Sequence, residues 1–204
     1  MSALSLAAIH RPYVLVSATP DVRAIVRVRV SGVDAAGVDA TLQLWTPLGA
    51  TVAVLAEREP ATRDLRDVAV RVDDRTITCA AGRWSDGARE YELVIALPCA
   101  RAGDQMLAAR VTVIADAEVV GQAPIEVTWT DDEALLAPRR PDGRAAVAPF
   151  AVADLPTGQS PAPRHTVGAQ AGAASRCAAC ELRAADGDRY CERCGHALGA
   201  AQKS

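Results

Sequence analysis

Val26-Arg27-Val28-Arg29-Val30 repeats with a period of two. Successive side chains of a strand point to opposite faces, so this stretch turns three valines to a core and two arginines to water. The alternation recurs on both sides of it. Tyr13-Val-Leu-Val16 is an apolar run ahead of it, and Leu42 and Leu44 flank Gln43 behind it. Trp45-Thr-Pro-Leu-Gly49 reads as a turn, and Thr51 to Leu55 as a short strand. Val68, Val70 and Val72 alternate with Ala69 and Arg71, and Thr76-Ile-Thr-Cys79 follows a turn at Asp73-Asp74. Tyr91, Leu93, Ile95 and Leu97 alternate with Glu90, Glu92, Val94 and Ala96. Leu107, Ala109, Val111 and Val113 share one face against Arg110 and Thr112. Val119-Val120 is short, and Ile125, Val127 and Trp129 alternate with Glu126 and Thr128.

Short strands in series, with turn residues between most of them and no helical period, predict a mainly β chain. An antiparallel β-sandwich over residues 10–137 is expected, because parallel βαβ units would need intervening helices. Thr130-Asp-Asp-Glu133 reads as a capping box. The Thr130 hydroxyl would accept from the Glu133 amide, with a short helix running through Leu136 and stopping before Pro138. Over residues 138–175 Pro, Ala and Gly accumulate and no period survives, which reads as a flexible, disordered linker. The apolar Ser2-Ala-Leu-Ser-Leu-Ala-Ala-Ile9 has no positive stretch before it, so it reads as a loose leader or an edge strand and not as a secretion signal.

Residues 176–198 carry a different signal. Cys177 and Cys180 form one Cys-x-x-Cys pair, Cys191 and Cys194 a second, and ten residues separate them. Each pair can place two thiolates on one side of a tight turn, and two such turns facing each other build the S₄ cage that Zn²⁺ favours. Gly195 follows Cys194, where the turn needs positive φ, and Asp186-Gly187 reads as the hairpin between the pairs. Tyr190, Leu182 and Leu198 are candidate covers for the cage. Ala178 and Ala179 fill the first turn, a weaker knuckle than one built with Pro and Gly. The stretch from Arg176 to Leu198 resembles the short zinc ribbons appended to bacterial chains. Four protein thiolates leave no open coordination position, so one zinc ion here is structural and not catalytic. A module this small cannot bury enough apolar surface to fold alone, and the metal must supply roughly 10–16 kcal/mol. His196 reads as a surface imidazole. Cys79 and Cys99, in or beside strands, read as buried free thiols, with a disulfide between them left open.

The chain of 204 residues suits one domain and an appendage; half its residues are hydrophobic but only 3% aromatic, so the core must be aliphatic. A net charge of −3 gives no global footprint for nucleic acid. No stretch approaches the roughly 18 apolar residues of a membrane span. The expected compartment is the cytoplasm, where thiols stay reduced.

Leu42-Gln-Leu-Trp-Thr-Pro47, Gly82-Arg-Trp-Ser-Asp-Gly-Ala-Arg-Glu-Tyr91, Gly103-Asp-Gln-Met-Leu-Ala-Ala-Arg110 and Val127-Thr-Trp-Thr-Asp-Asp-Glu-Ala-Leu135 occur in an order and spacing that resembles a known region. It is the β-rich region that follows the von Willebrand factor A domain in a group of actinobacterial proteins. The resemblance covers His10 to Leu136 and implies an accessory sandwich in proteins that bind partners. The A domain is not in this sequence and its Asp-x-Ser-x-Ser motif is absent, so no adhesion metal site carries over.

Catalysis is not expected. His10 lies at the N-terminus, His165 in the linker and His196 past the last cysteine, so none is placed as a general base. Neither a phosphate-binding glycine loop nor His-Glu-x-x-His occurs. The expected role is a non-catalytic protein-interaction adaptor with a structural zinc tail, its partner a protein such as a von Willebrand A protein. The linker would let the zinc module search space independently of the sandwich. Trp84, flanked by Gly82, Arg83, Ser85, Asp86 and Gly87, is either a contact residue or folded over a sheet edge. The alternative is a zinc-ribbon accessory protein that binds nucleic acid. It is disfavoured because Arg176, Arg183, Arg189, Arg193 and Lys203 are balanced by Glu181, Asp186, Asp188, Glu192 and the negative thiolate cage.

Overall fold

The structure, a computed structural model, describes residues 3–16, 20–33, 37–136, 176–185 and 187–198. The expected linker at 138–175, with His165, lies outside the described residues, as does Asp186.

The described chain is mainly β: two sheets, no α-helix, and a C-terminal four-cysteine cluster. One sheet, called A, runs β1 (Ala3–His10), β3 (Asp21–Ser31), β9 (Gly87–Ala96), β5 (Thr51–Glu59), β6 (Arg63–Asp64). Sheet B runs β2 (Tyr13–Leu15), β11 (Glu118–Thr130), β10 (Gln105–Ala115), β4 (Val38–Trp45), β8 (Thr76–Trp84), β7 (Ala69–Arg71). Every pairing is antiparallel except β2 with β11. The apolar N-terminal run is an edge strand: β1 pairs with β3 from Ala3↔Ser31 to His10↔Ala24. It also closes one side of the sandwich, since a Cβ added at Gly121 of β11 would lie 3.5 Å from the side chains of Leu4 and Leu6. His10 is therefore held in a strand, not in a frayed end.

Periodicity sets which side chains fill the space between the sheets. On β3, Val22, Ala24, Val26, Val28 and Val30 are buried while Arg23 and Arg29 are exposed. They meet Tyr91, Leu93 and Ile95 of β9, and Leu42, Leu44, Val111, Ile125 and Val127 of sheet B. Two carboxylates are also buried on sheet A, each with two arginines. Glu92 pairs with Arg58 and, at 3.3 Å, Arg23; Glu57 pairs with Arg89 at 2.8 Å and Arg63 at 3.3 Å. Removing one partner would strand a buried charge, which is strongly destabilising.

Three local expectations are corrected. The alternation at Val68, Val70 and Val72 does not reach the core. β7 pairs with β8 over three residues at the end of sheet B, and Val70 is 64% exposed. Leu107 faces away from Ala109, because the register against β11 shifts between them. A bulge at one residue sends every side chain before it to the opposite face. The predicted helix is a 3₁₀ turn, Glu133–Leu136, and the Thr130 hydroxyl accepts from Asp132 N at 3.0 Å instead of from Glu133. The next link is Asp132 Oδ1, which accepts from Ala134 N at 2.9 Å.

Trp84 is fully buried, so it is not a contact residue. Its ring packs 6.4 Å from that of Tyr91, its indole N–H donates to Ala81 O at 3.3 Å, and Arg89 lies over it. Cys79 is buried and its thiol is pushed up to about 11 by burial, whereas Cys99 is exposed, against expectation. Both are free thiols.

Candidate metal centre

Each Cys-x-x-Cys turn is built by the same pair of backbone bonds. In the first, Cys177 O accepts from Glu181 N at 2.8 Å and Cys177 N donates to Leu182 O at 2.9 Å. In the second, Cys191 O accepts from Gly195 N at 2.9 Å and Cys191 N donates to His196 O at 2.9 Å. Both turns need positive φ at the residue after their second cysteine, and both have it: Glu181 at 60° and Gly195 at 72°. The first turn is thus formed as fully as the second despite its alanines. Between them, Gly187 has φ 92°, and Asp188 accepts from Ala185 N at 3.0 Å.

The four sulfurs lie within 4.8 Å of one another, with Cys177 to Cys194 and Cys180 to Cys191 both at 3.5 Å. A tetrahedral zinc with Zn–S near 2.3 Å sets sulfurs about 3.8 Å apart, so the donor set fits one such ion. Burial pushes the Cys180 and Cys194 thiols up, and neighbouring thiols add to it. At Cys191 burial also opposes the thiolate, but hydrogen bonds from the amides of Cys194 and Arg193 and from the Cys180 and Cys194 thiols together lower that thiol. The Arg193 amide donates to Cys191 Sγ at 3.4 Å. Four thiolates this close repel one another, and a divalent cation at their centre relieves that repulsion.

The module sits on the sandwich, which corrects the expectation that it moves independently. Leu107 N donates to Gly195 O at 2.8 Å, Ala197 N to Gln105 O at 2.9 Å and Leu48 N to Arg193 O at 3.0 Å. Arg75 donates to Glu192 O, Arg110 pairs with the Glu192 carboxylate at 3.0 Å, and Arg189 with Glu126 at 3.6 Å. A Cβ on Gly195 would stand 2.5 Å from Leu107 O, so glycine is required there by approach as well as by φ. Leu107 and Trp45 are buried yet belong to no part of the interior core; they lie on the outer face of sheet B, where the module rests. Tyr190 is partly buried, with Arg189 over its ring, whereas Leu182 is exposed and does not cover the cluster. His196 forms a bridge with Met106 through its backbone, and His10 is partly buried, its Nδ1 3.1 Å from Arg11 O. Among the described residues no other group of ligating side chains gathers in this way, and no helix is long and apolar enough to cross a membrane.

No protein-family model matches the sequence, and no curated protein does. Among solved structures the chain is similar to a von Willebrand factor type A protein from Catenulispora acidiphila, with 29% identity and a TM-score of 0.46. That match covers 48% of this chain and 24% of the other. It is also similar in fold to a cohesin module from a Clostridium perfringens family 33 glycoside hydrolase, with 10% identity, a TM-score of 0.40, and cover of 64% and 98%. A third match is BcpA, the major pilin subunit of Bacillus cereus, in its D312A form, with 11% identity, a TM-score of 0.42, and cover of 64% and 40%. The chain thus matches a β-sandwich region of a bacterial protein of the von Willebrand A type, over about a quarter of that protein's length.

Proposed function

We propose that this chain is a non-catalytic protein-interaction adaptor of the cytoplasm whose C-terminal module is held by one structural zinc ion. The observation that carries the metal is the four-sulfur cluster, with all donors supplied by the protein and no position left for water or substrate. The adaptor reading is supported by the rim of sheet B. Val70 stands exposed on β7, a three-residue strand at the end of its sheet, with exposed Val68 and Val72 flanking it. Apolar residues beside a sheet edge are the surface a protein partner covers, and a von Willebrand A protein is the candidate. Of the arginines of the cysteine module, Arg189 is paired with Glu126 of the sandwich, which draws it away from a free basic face.

The test is metal analysis of the reduced chain together with partner capture by wild type and by Val70→Lys. About one zinc per chain and a protein captured by wild type but not by the variant support the reading. Recovery of nucleic acid alone, released by salt, sinks it.

A further inference from the structure

Resting on the metal-holding role of the four cysteines, we propose that the module is a metal-dependent latch over a strand-accepting edge of β10. β4 pairs with β10 only from Arg110↔Trp45 onward to Ala115↔Ala40, and the chain then turns away through Pro47. That leaves one edge of β10 at Gln105–Leu107 without a neighbouring strand. Gly195, His196 and Ala197 take the vacant place, through the bonds from Gly195 O and Ala197 N and the antiparallel bridge Met106↔His196.

The seat is selective. The position over Leu107 O admits only a residue without a Cβ, and Arg75 and Arg110 meet there on Glu192, three residues before. The segment 191–197 owes its shape to the second knuckle, and a knuckle of this size is folded by its ion. Loss of metal therefore frees the Leu107 amide and the Gln105 carbonyl, bares Leu107 and Trp45, and unpairs two arginines. A sheet edge beside apolar surface and two cations takes an extended segment from a partner protein, with an acidic residue three positions before a glycine.

Hydrogen exchange of the full reduced chain, with zinc and after chelation, tests this. With zinc, the Leu107 and Leu48 amides are expected to be protected; after chelation both should exchange freely while the strand amides of β3 stay protected. A synthetic peptide of residues 190–199 with residues 191 and 194 joined by a thioether bridge, which holds the knuckle shape without an ion, should restore protection of Leu107 in the chelated chain and leave the zinc-loaded chain unchanged. Protection of Leu107 that survives chelation overturns the latch and leaves the metal reading intact. Opening without restoration by the peptide overturns the strand-accepting edge. A chain that takes up no zinc overturns the metal reading itself. The double variant Arg75→Ala, Arg110→Ala touches no cysteine and should still bind one zinc ion, but about 5–150-fold more weakly, because coupling between docking and metal is reciprocal. Unchanged zinc affinity in that variant contradicts the latch.

Discussion

The two cysteine turns share one hydrogen-bond scheme and differ in what lies beside them. The second, Cys191 to Gly195, is pressed against β10, and its glycine has no room for a side chain. The first, Cys177 to Glu181, bears an exposed glutamate at the equivalent position, where the left-handed backbone is strained. A free turn tolerates a strained residue because nothing else is asked of it. The docked turn must meet two conditions at once, and only glycine satisfies both.

The comparison can be broken by substitution. The largest effect is expected from Cys177→Ser with Cys191→Ser, which takes one ligand from each turn and should abolish zinc binding, read by metal analysis. The β circular-dichroism signal should persist, but with a lower Tm, since the sandwich loses the cover of Leu107 and Trp45. Gly195→Val comes next: strain of about 1–3 kcal/mol plus the clash with Leu107 O should weaken zinc binding at least about tenfold in competition with a chelator. Glu181→Gly is expected to act the other way, with binding tightened by no more than about 1–2 kcal/mol as the strain is relieved. Equal weakening of zinc binding by Glu181→Val and by Gly195→Val would show that docking makes no difference between the turns.

Smaller effects concern the sandwich. Zinc-loaded protein should take up one equivalent of iodoacetamide, at the exposed Cys99, because Cys79 is buried and the other four thiols hold the ion. The Cys79 thiol, raised by burial from 9.0 to about 11, favours the folded state only while it stays protonated. Its contribution is complete below about pH 9 and is lost as pH rises through about 11, so a urea midpoint followed over that range should fall less in Cys79→Ala.

Much of this was legible in the sequence, for identifiable reasons. The valines of β3 read correctly because a strand in the middle of a sheet buries one whole face. The same period at Val68, Val70 and Val72 misled, because β7 lies at the end of its sheet and nothing covers it. Leu107 was misread by one bulge, which periodicity cannot register. Trp84 follows Gly82, whose positive φ lies beside a register shift between β4 and β8, and the strand delivers the indole inward. The cysteine spacing names the donors, but docking depends on a gap beside β10 that exists only once β4 has turned away. Pro47, which cannot donate to a ladder, was the local sign of that gap.

The most direct measurement is native mass spectrometry of the full reduced chain after zinc addition and desalting. One zinc ion per chain, absent from the Cys177→Ser, Cys191→Ser variant, is the expected result. A wild-type chain that stays metal-free under the same treatment would contradict the account.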